Sequence, residues 1–269
     1  LDKWLEISEE EWKRLRQYCK SNKLVPPKKR MPRKHQKLAI NDAVKHFSKY
    51  NNSRGKLIMP CGTGKSLTAF WIAQALGAKN IIVSVPSLAL IRQGLADWTA
   101  EYLSNGIKPD WIAICADDTV GNTSDADSTV ASVYDTGIPT TTNEKIIDSF
   151  LRKKSRCPKI VFTTYQSGQK LCDAAKKAKK VFDLLICDEA HKTVGVSNLF
   201  SILLFDKNIS VKKRVFMTAT ERILKTTSSS KEDIISMDNL DNYGEVFHQL
   251  SFKEAISQNI ICDYKIITL

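Results

Sequence analysis

The stretch Met59-Pro60-Cys61-Gly62-Thr63-Gly64-Lys65-Ser66 decides how this chain is read. It follows an apolar run at 56–60 and opens onto helical periodicity at 65–77. Strand, glycine-containing turn and helix in that order form a phosphate-binding loop. Glycine lets the backbone wrap a phosphate with no side chain in the way. The helix N-terminus contributes free N–H groups and partial positive charge. Pro60, Cys61, Gly62, Thr63 and Gly64 supply the wrapping backbone. The Lys65 ammonium can reach the outer phosphates of ATP, and the Ser66 hydroxyl can ligate Mg²⁺. The general pattern begins with glycine, and Met59 stands in that place.

Working outward from the loop, short apolar runs recur at 80–85, 111–115, 159–164, 182–187 and 213–217. Helix-like stretches separate most of them, with 35–50, 65–77 and 87–103 the clearest. Strands alternating with helices predict an α/β fold: a mostly parallel sheet with helices on both faces. Ligands of such sheets bind beyond the carboxyl ends of the strands. The segment 1–23 predicts a helix, with a Ser8–Glu11 capping box and Trp12, Leu15 and Cys19 on one face. Val25 to Arg30 reads as a basic linker that cannot continue it. Residues 117–145, rich in Asp, Thr, Ser and Gly, read as a surface insertion, and 225–232 as a second loop.

The strand-end rule directs attention to two further segments. Phe182-Asp183-Leu184-Leu185-Ile186-Cys187-Asp188-Glu189-Ala190-His191 runs an apolar strand directly into two carboxylates. Buried acids are costly without a cation or hydrogen bonds, and Mg²⁺ beside nucleotide phosphates supplies the cation. Asp188 then holds the metal, and Glu189 orients or deprotonates the attacking water. A lone Asp-Glu pair is more often an ordinary turn; after a phosphate loop the catalytic reading gains. Arg214-Val215-Phe216-Met217-Thr218-Ala219-Thr220 is another strand ending in hydroxyls, of which Thr218 and Thr220 can bond to the acidic segment.

The chain has 269 residues, enough for one large domain with appendages, and its 42% apolar content supports a true core. A formal net charge of +12 favours a polyanionic partner such as DNA or RNA. Seven cysteines without a CxxC pair argue against a zinc site or disulfide framework and fit a reducing cytoplasm. No stretch reads as a membrane span or a signal peptide. The chain opens at Leu1 rather than Met, which predicts an excised piece of something longer.

With the three motifs in order, the sequence resembles the superfamily 2 helicases and translocases, in particular their first RecA-like lobe. Within that group it is similar to the motor subunits of type I, type III and type ISP restriction enzymes. The resemblance implies a DNA-dependent ATPase using ATP and Mg²⁺. It implies roles for Gln36 within Arg33-Lys34-His35-Gln36, as a contact to the adenine base, and for His191, Thr218 and Thr220 in coupling. Val85-Pro86-Ser87-Leu88-Ala89-Leu90-Ile91-Arg92-Gln93 and Thr163-Thr164-Tyr165-Gln166-Ser167 resemble segments that meet the nucleic-acid backbone. Their candidate contacts are Pro86, Ser87, Arg92, Thr164, Gln166 and Ser167, which position a strand without reading its sequence. Glu221 departs from the proline usual after this Thr-Ala-Thr segment.

The implied organisation is an N-terminal helix and linker at 1–30, the ATP-binding lobe at 31–260, and a crossover at 261–269 into a second lobe. That lobe carries the arginine finger in this family, and nuclease or methyltransferase modules are further expected partners. Two alternatives stay open. One is the lobe of an RNA helicase. The other is a scaffold that binds nucleotide and nucleic acid without turning ATP over.

Overall fold

The six apolar runs are strands, and all of them lie parallel in one sheet. The computed structural model describes residues 26–115, 138–196, 199–224 and 234–263, together with Glu9 and Lys13. The helix expected over 1–23, most of the insertion, the loop at 225–232 and the run from Tyr264 onward fall outside the described residues.

In chain order the described elements begin with α1 (Lys34–Val44), which runs on as a π turn (Lys45–Lys49), then β1 (Arg54–Ile58) and α2 (Lys65–Ala75). There follow β2 (Asn80–Val85), α3 (Leu88–Ser104), β3 (Asp110–Ile114), α4 (Glu144–Arg152), β4 (Lys159–Thr164) and α5 (Gly168–Lys177). Next come β5 (Phe182–Cys187), a 3₁₀ turn (Ala190–Thr193), β6 (Gly195–Val196), a second 3₁₀ turn (Leu199–Leu204) and β7 (Val211–Thr218). The described residues close with β8 (Ile234–Ile235), α6 (Leu240–Tyr243), β9 (Glu245–Gln249) and α7 (Phe252–Ser257).

The main sheet has the order β3-β4-β2-β5-β7-β1-β9, every pair parallel, while β6 and β8 form a small antiparallel pair. This order sets β5, β7 and β1 side by side, so the acidic, threonine and phosphate-loop segments leave the sheet at one place. It also sets β4 beside β2, so the two segments likened to nucleic-acid contacts leave it together.

Both faces of the sheet are buried, because successive strand residues point to opposite sides and both sets are apolar. On one face Ile81, Val83, Leu184, Ile186, Val215 and Met217 pack with residues of α1, α2 and α3. There Phe70 meets Trp98 and Tyr102 edge-on, with ring centroids 5.4 and 4.9 Å apart. Such pairs add about 0.5–1.5 kcal/mol each beyond area burial. On the other face Ile82, Leu185, Cys187 and Phe216 pack with residues of α4, α5 and the second 3₁₀ turn.

Two expectations change. The described part of the insertion at 117–145 is built into the fold. Thr140 bridges to Ala113, and Asn143 caps α4 by accepting from the Lys145 and Ile146 N–H groups. The linker, exposed at Arg30, is also tied to the fold at that last residue. Arg30 pairs with Asp97 at 2.8 Å and with the buried Glu101 at 3.5 Å, both on α3. Among the described residues no helix is long and apolar enough to cross a membrane.

Candidate nucleotide site at the strand ends

β1 ends where the phosphate loop begins. Met59 N–H donates to the Thr218 carbonyl at 3.0 Å, so the loop starts bound to the end of β7. Met59 itself is fully buried, which is why a hydrophobe can replace the leading glycine. Gly62 and Gly64 both adopt φ +81°, a conformation that L side chains resist. A Cβ on Gly64 would also come within 2.7 Å of Gln36 Nε2. The loop is braced from α1: His35 Nε2 donates to the Thr63 carbonyl at 2.9 Å and Gln36 Nε2 to the Gly64 carbonyl at 3.2 Å. Gln36 Oε1 accepts from the Arg33 N–H at 2.8 Å, so these two bonds use one of the two amide N–H groups of Gln36.

Across β7, the carboxylates of β5 face this loop. Glu189 Oε1 stands 3.6 Å from Lys65 Nζ, and Lys65 Nζ is 3.7 Å from Cys61 Sγ. Burial, reinforced by the neighbouring Glu189 charge, pushes the Asp188 carboxyl up to about 6, with Lys65 opposing. Burial likewise holds His191 below its ordinary value, against the pull of Glu189.

His191 Nδ1 lies 3.0 Å from Thr218 Oγ1 and 3.5 Å from Glu189 Oε2. Thr218 Oγ1–H donates to the Thr220 carbonyl at 2.8 Å, so the hydroxyl oxygen accepts from His191 Nδ1–H. Thr218 thus joins the three segments, through its side chain to His191 and through its carbonyl to the phosphate loop. Thr220 takes part through its backbone, and its side chain is exposed.

These residues fit ATP and Mg²⁺. A helix N-terminus, two glycines in left-handed turns and a lysine offer donors to phosphate. Asp188 is a buried acid whose ionisation a divalent cation would favour. Among the described residues no cluster of three or more His, Cys, Asp or Glu is set for a metal, so Mg²⁺ would rest on Ser66, Asp188 and the nucleotide itself.

A family model described as the res subunit of type III restriction enzymes matches residues 29–223, most of the chain. This chain belongs to that family. A probable helicase of African swine fever virus, from a Malawi tick isolate, is 28% identical over 234 residues, 87% of this chain and 24% of the viral protein. Among solved structures, the ATP-dependent type ISP restriction-modification enzyme LlaBIII bound to DNA is 30% identical with a TM-score of 0.72, over 91% of this chain and 17% of that one. A nuclease-deletion mutant of the type ISP enzyme LlaGI, in complex with a DNA substrate mimic, is 31% identical with a TM-score of 0.64, over 86% and 21%. The chain spans about a quarter or less of these relatives.

In this res-family lobe the segments after β2 and β4 are less open than their hydroxyls suggest. Ser87 Oγ caps α3 by accepting from the Leu90 N–H at 3.4 Å. Thr164 and Ser167 are each 3% exposed and bonded to one another at 3.1 Å. Gln166 and Arg92 are exposed, and Pro86 is half-buried at the exit of β2.

Three features of the res-family lobe escaped the sequence. Tyr165 donates its hydroxyl to the Asp188 carbonyl at 2.6 Å. Trp98 Nε1 donates to the Ser66 carbonyl at 3.2 Å, tying α3 to the first turn of α2. Glu221, the departure after Thr-Ala-Thr, pairs at 2.6 Å with Lys56 Nζ, a buried lysine of β1 that also donates to the Met237 carbonyl. The strand exit is thus closed by an ion pair where a proline is usual. Tyr165 and Glu221 stood inside or beside quoted motifs, but their partners are distant in sequence.

Proposed function

We propose that the chain is the ATP-binding lobe of a DNA-dependent ATPase that moves along duplex DNA. The observation that carries this is Glu189 held 3.6 Å from Lys65, across β7, at the end of a buried strand. Lys65 and the loop N–H groups bind the outer phosphates of ATP, and Ser66 and Asp188 hold Mg²⁺. Bound Mg²⁺ neutralises charge that develops on the transferring phosphate. Glu189 orients the attacking water, and His191 and Thr218 carry the state of that site to the phosphate loop. Gln36 offers its remaining N–H to the adenine.

Gln166, Arg92 and the backbone beside Ser87 and Pro86 meet nucleic-acid phosphates, with Thr164 and Ser167 setting the turn that presents them. DNA is favoured over RNA because both solved relatives are described with DNA or a DNA mimic. In this reading the ATPase lobe spans 31–260, and the chain after 260 leads into a second RecA-like lobe. That lobe supplies the arginine that completes hydrolysis, and nuclease or methyltransferase modules belong to the parent protein.

The test is Glu189→Gln in the complete protein, with ATP turnover followed with and without duplex DNA and RNA. Retained ATP binding with turnover lowered by about 10²–10³-fold is expected. Normal turnover in the variant, or stimulation by RNA alone, overturns the assignment.

A further inference from the structure

Tyr165 directly follows β4, and its side chain is fully buried, the ring 5.9 Å from that of Phe200. Its N–H donates to the Val85 carbonyl at 3.1 Å, and its hydroxyl to the Asp188 carbonyl at 2.6 Å. β4 and β5 are not neighbours, since β2 runs between them. One residue therefore bridges the ends of three strands, β4, β2 and β5.

The carbonyl it holds belongs to the peptide unit joining Asp188 and Glu189. The N–H of that unit donates to Asp188 Oδ1 at 3.0 Å, so the unit is fixed at both ends. Immediately after it, Glu189 has φ 48° and ψ 48°, the left-handed region. For a residue other than glycine that conformation costs about 1–2 kcal/mol and persists only where the surroundings over-determine it. Rotating this peptide unit changes the φ of Glu189, and the unit's orientation aims the Glu189 side chain at Lys65. The Tyr165 hydroxyl is thus a constraint on the conformation that the isolated backbone would leave.

We propose that Tyr165 is a positioning residue for hydrolysis: its hydroxyl latches the Asp188–Glu189 peptide and so holds the Glu189 carboxylate in place. Its neighbours Thr164 and Gln166 lie in the segment assigned to nucleic-acid phosphates, so a shift of that segment moves the latch. Nucleic acid acts on the position of Glu189 through this hydroxyl. The inference rests on the role given to Glu189 under the proposed function.

The test compares Tyr165→Phe with wild type, Glu189→Gln and Phe200→Leu, all in the complete protein. Thermal midpoint, affinity for a fluorescent non-hydrolysable ATP analogue, and kcat and KM for ATP with and without duplex DNA are measured. Tyr165→Phe keeps the ring and removes only the hydroxyl. It is expected to keep analogue affinity within about twofold and to lose about ten- to a hundredfold in DNA-stimulated kcat, the scale of a misplaced catalytic group. The stimulation ratio falls with it.

Phe200→Leu loosens the ring's packing but leaves the hydroxyl, so it is expected to lower the midpoint with kcat near wild type. Wild-type kcat and stimulation in Tyr165→Phe overturn the inference, as does an equal kcat loss in Phe200→Leu. Failure of Tyr165→Phe to fold also overturns it, because the hydroxyl then carries the fold rather than the site. Undiminished turnover in Glu189→Gln defeats the underlying functional reading instead, whatever Tyr165→Phe does.

Discussion

The two ends of the sheet are built on opposite terms. At the amino ends of the strands, buried charged groups find their hydrogen bonds within the fold. Arg214, 1% exposed, pairs with Asp206 and donates to the carbonyls of Leu203, Val211 and Ile209. Asp183 accepts from Lys212 Nζ and from the backbone N–H groups of Lys79 and Asn80. Lys159 donates to the carbonyls of Phe150, Leu151 and Lys153, closing the end of α4. At the carboxyl ends, two carboxylates share one lysine, Glu189 sits in a left-handed turn, and the phosphate loop needs two glycines with positive φ. One end holds the sheet together, and the other withholds its stabilisation for a ligand.

Substitutions at the two ends should therefore separate activity from stability. The largest expected effect is at the carboxyl end: Lys65→Ala should weaken ATP use by about 10²–10³-fold, with little change in midpoint. Titration with a fluorescent ATP analogue, beside a thermal melt, checks both halves. At the amino end Arg214→Met should do the reverse, removing about 3 kcal/mol by stranding buried carbonyls. Chemical denaturation measures that loss, and nucleotide affinity of the folded fraction should match wild type.

Asp188→Asn sharpens the contrast, because it should stabilise the ligand-free protein while abolishing turnover. The Asp188 pKa is raised from 3.8 to about 6, so the folded protein holds this proton more tightly than the unfolded chain. Stability is consequently lost as pH rises from about 4 to 6, and removing the ionisable group restores about 3 kcal/mol at pH 7. Melting curves of both proteins at pH 4 and pH 7 should converge at the lower pH; equal midpoints at pH 7 would sink the idea.

The smallest effect is at Asp183, which has the opposite sign. Burial raises its carboxyl, but bonds from Lys212, Asn80 and Lys79 outweigh this and hold it at about 2. Its contribution is present above the ordinary Asp value and is lost as pH falls toward 2. After solvent screening, Asp183→Asn should cost about 1 kcal/mol at pH 7, and nothing once acid has protonated the wild-type group.

The carboxyl end was the legible one. Its loop and its acidic strand end have fixed spacing within short windows, so Gly62 to Ser66 and Asp188 to His191 could be read as chemistry. The amino end could not be read, because Asp183 meets partners distant in sequence, while Arg214 and Lys159 bond mostly to backbone carbonyls, which leave no side-chain pattern. Arg214 stood in a quoted motif, yet nothing local reveals that it is buried against Asp206 and three carbonyls. β9 was missed for another reason. It is an edge strand whose residues are all exposed or half-buried, so Glu245–Gln249 carries no apolar run. The start of α4 was hidden by polar composition, which the Asn143 cap shares with a loop. Thr164 and Ser167 were read as candidate nucleic-acid contacts, and their mutual bond, which the sequence does not announce, shows that a polar side chain can serve its own turn.

The place of β1 in the strand order bears on how the protein is made. Among the described strands β1 pairs with β7 and β9, so Arg54 waits for Arg214, and Gly55 for Glu245. At ribosomal rates of about 5–20 residues per second, that interval lasts roughly ten to thirty seconds. Throughout it, an apolar strand emerges with both edges bare. The strand that leads into the phosphate loop is thus made before either of its neighbours and is paired only when β7 arrives.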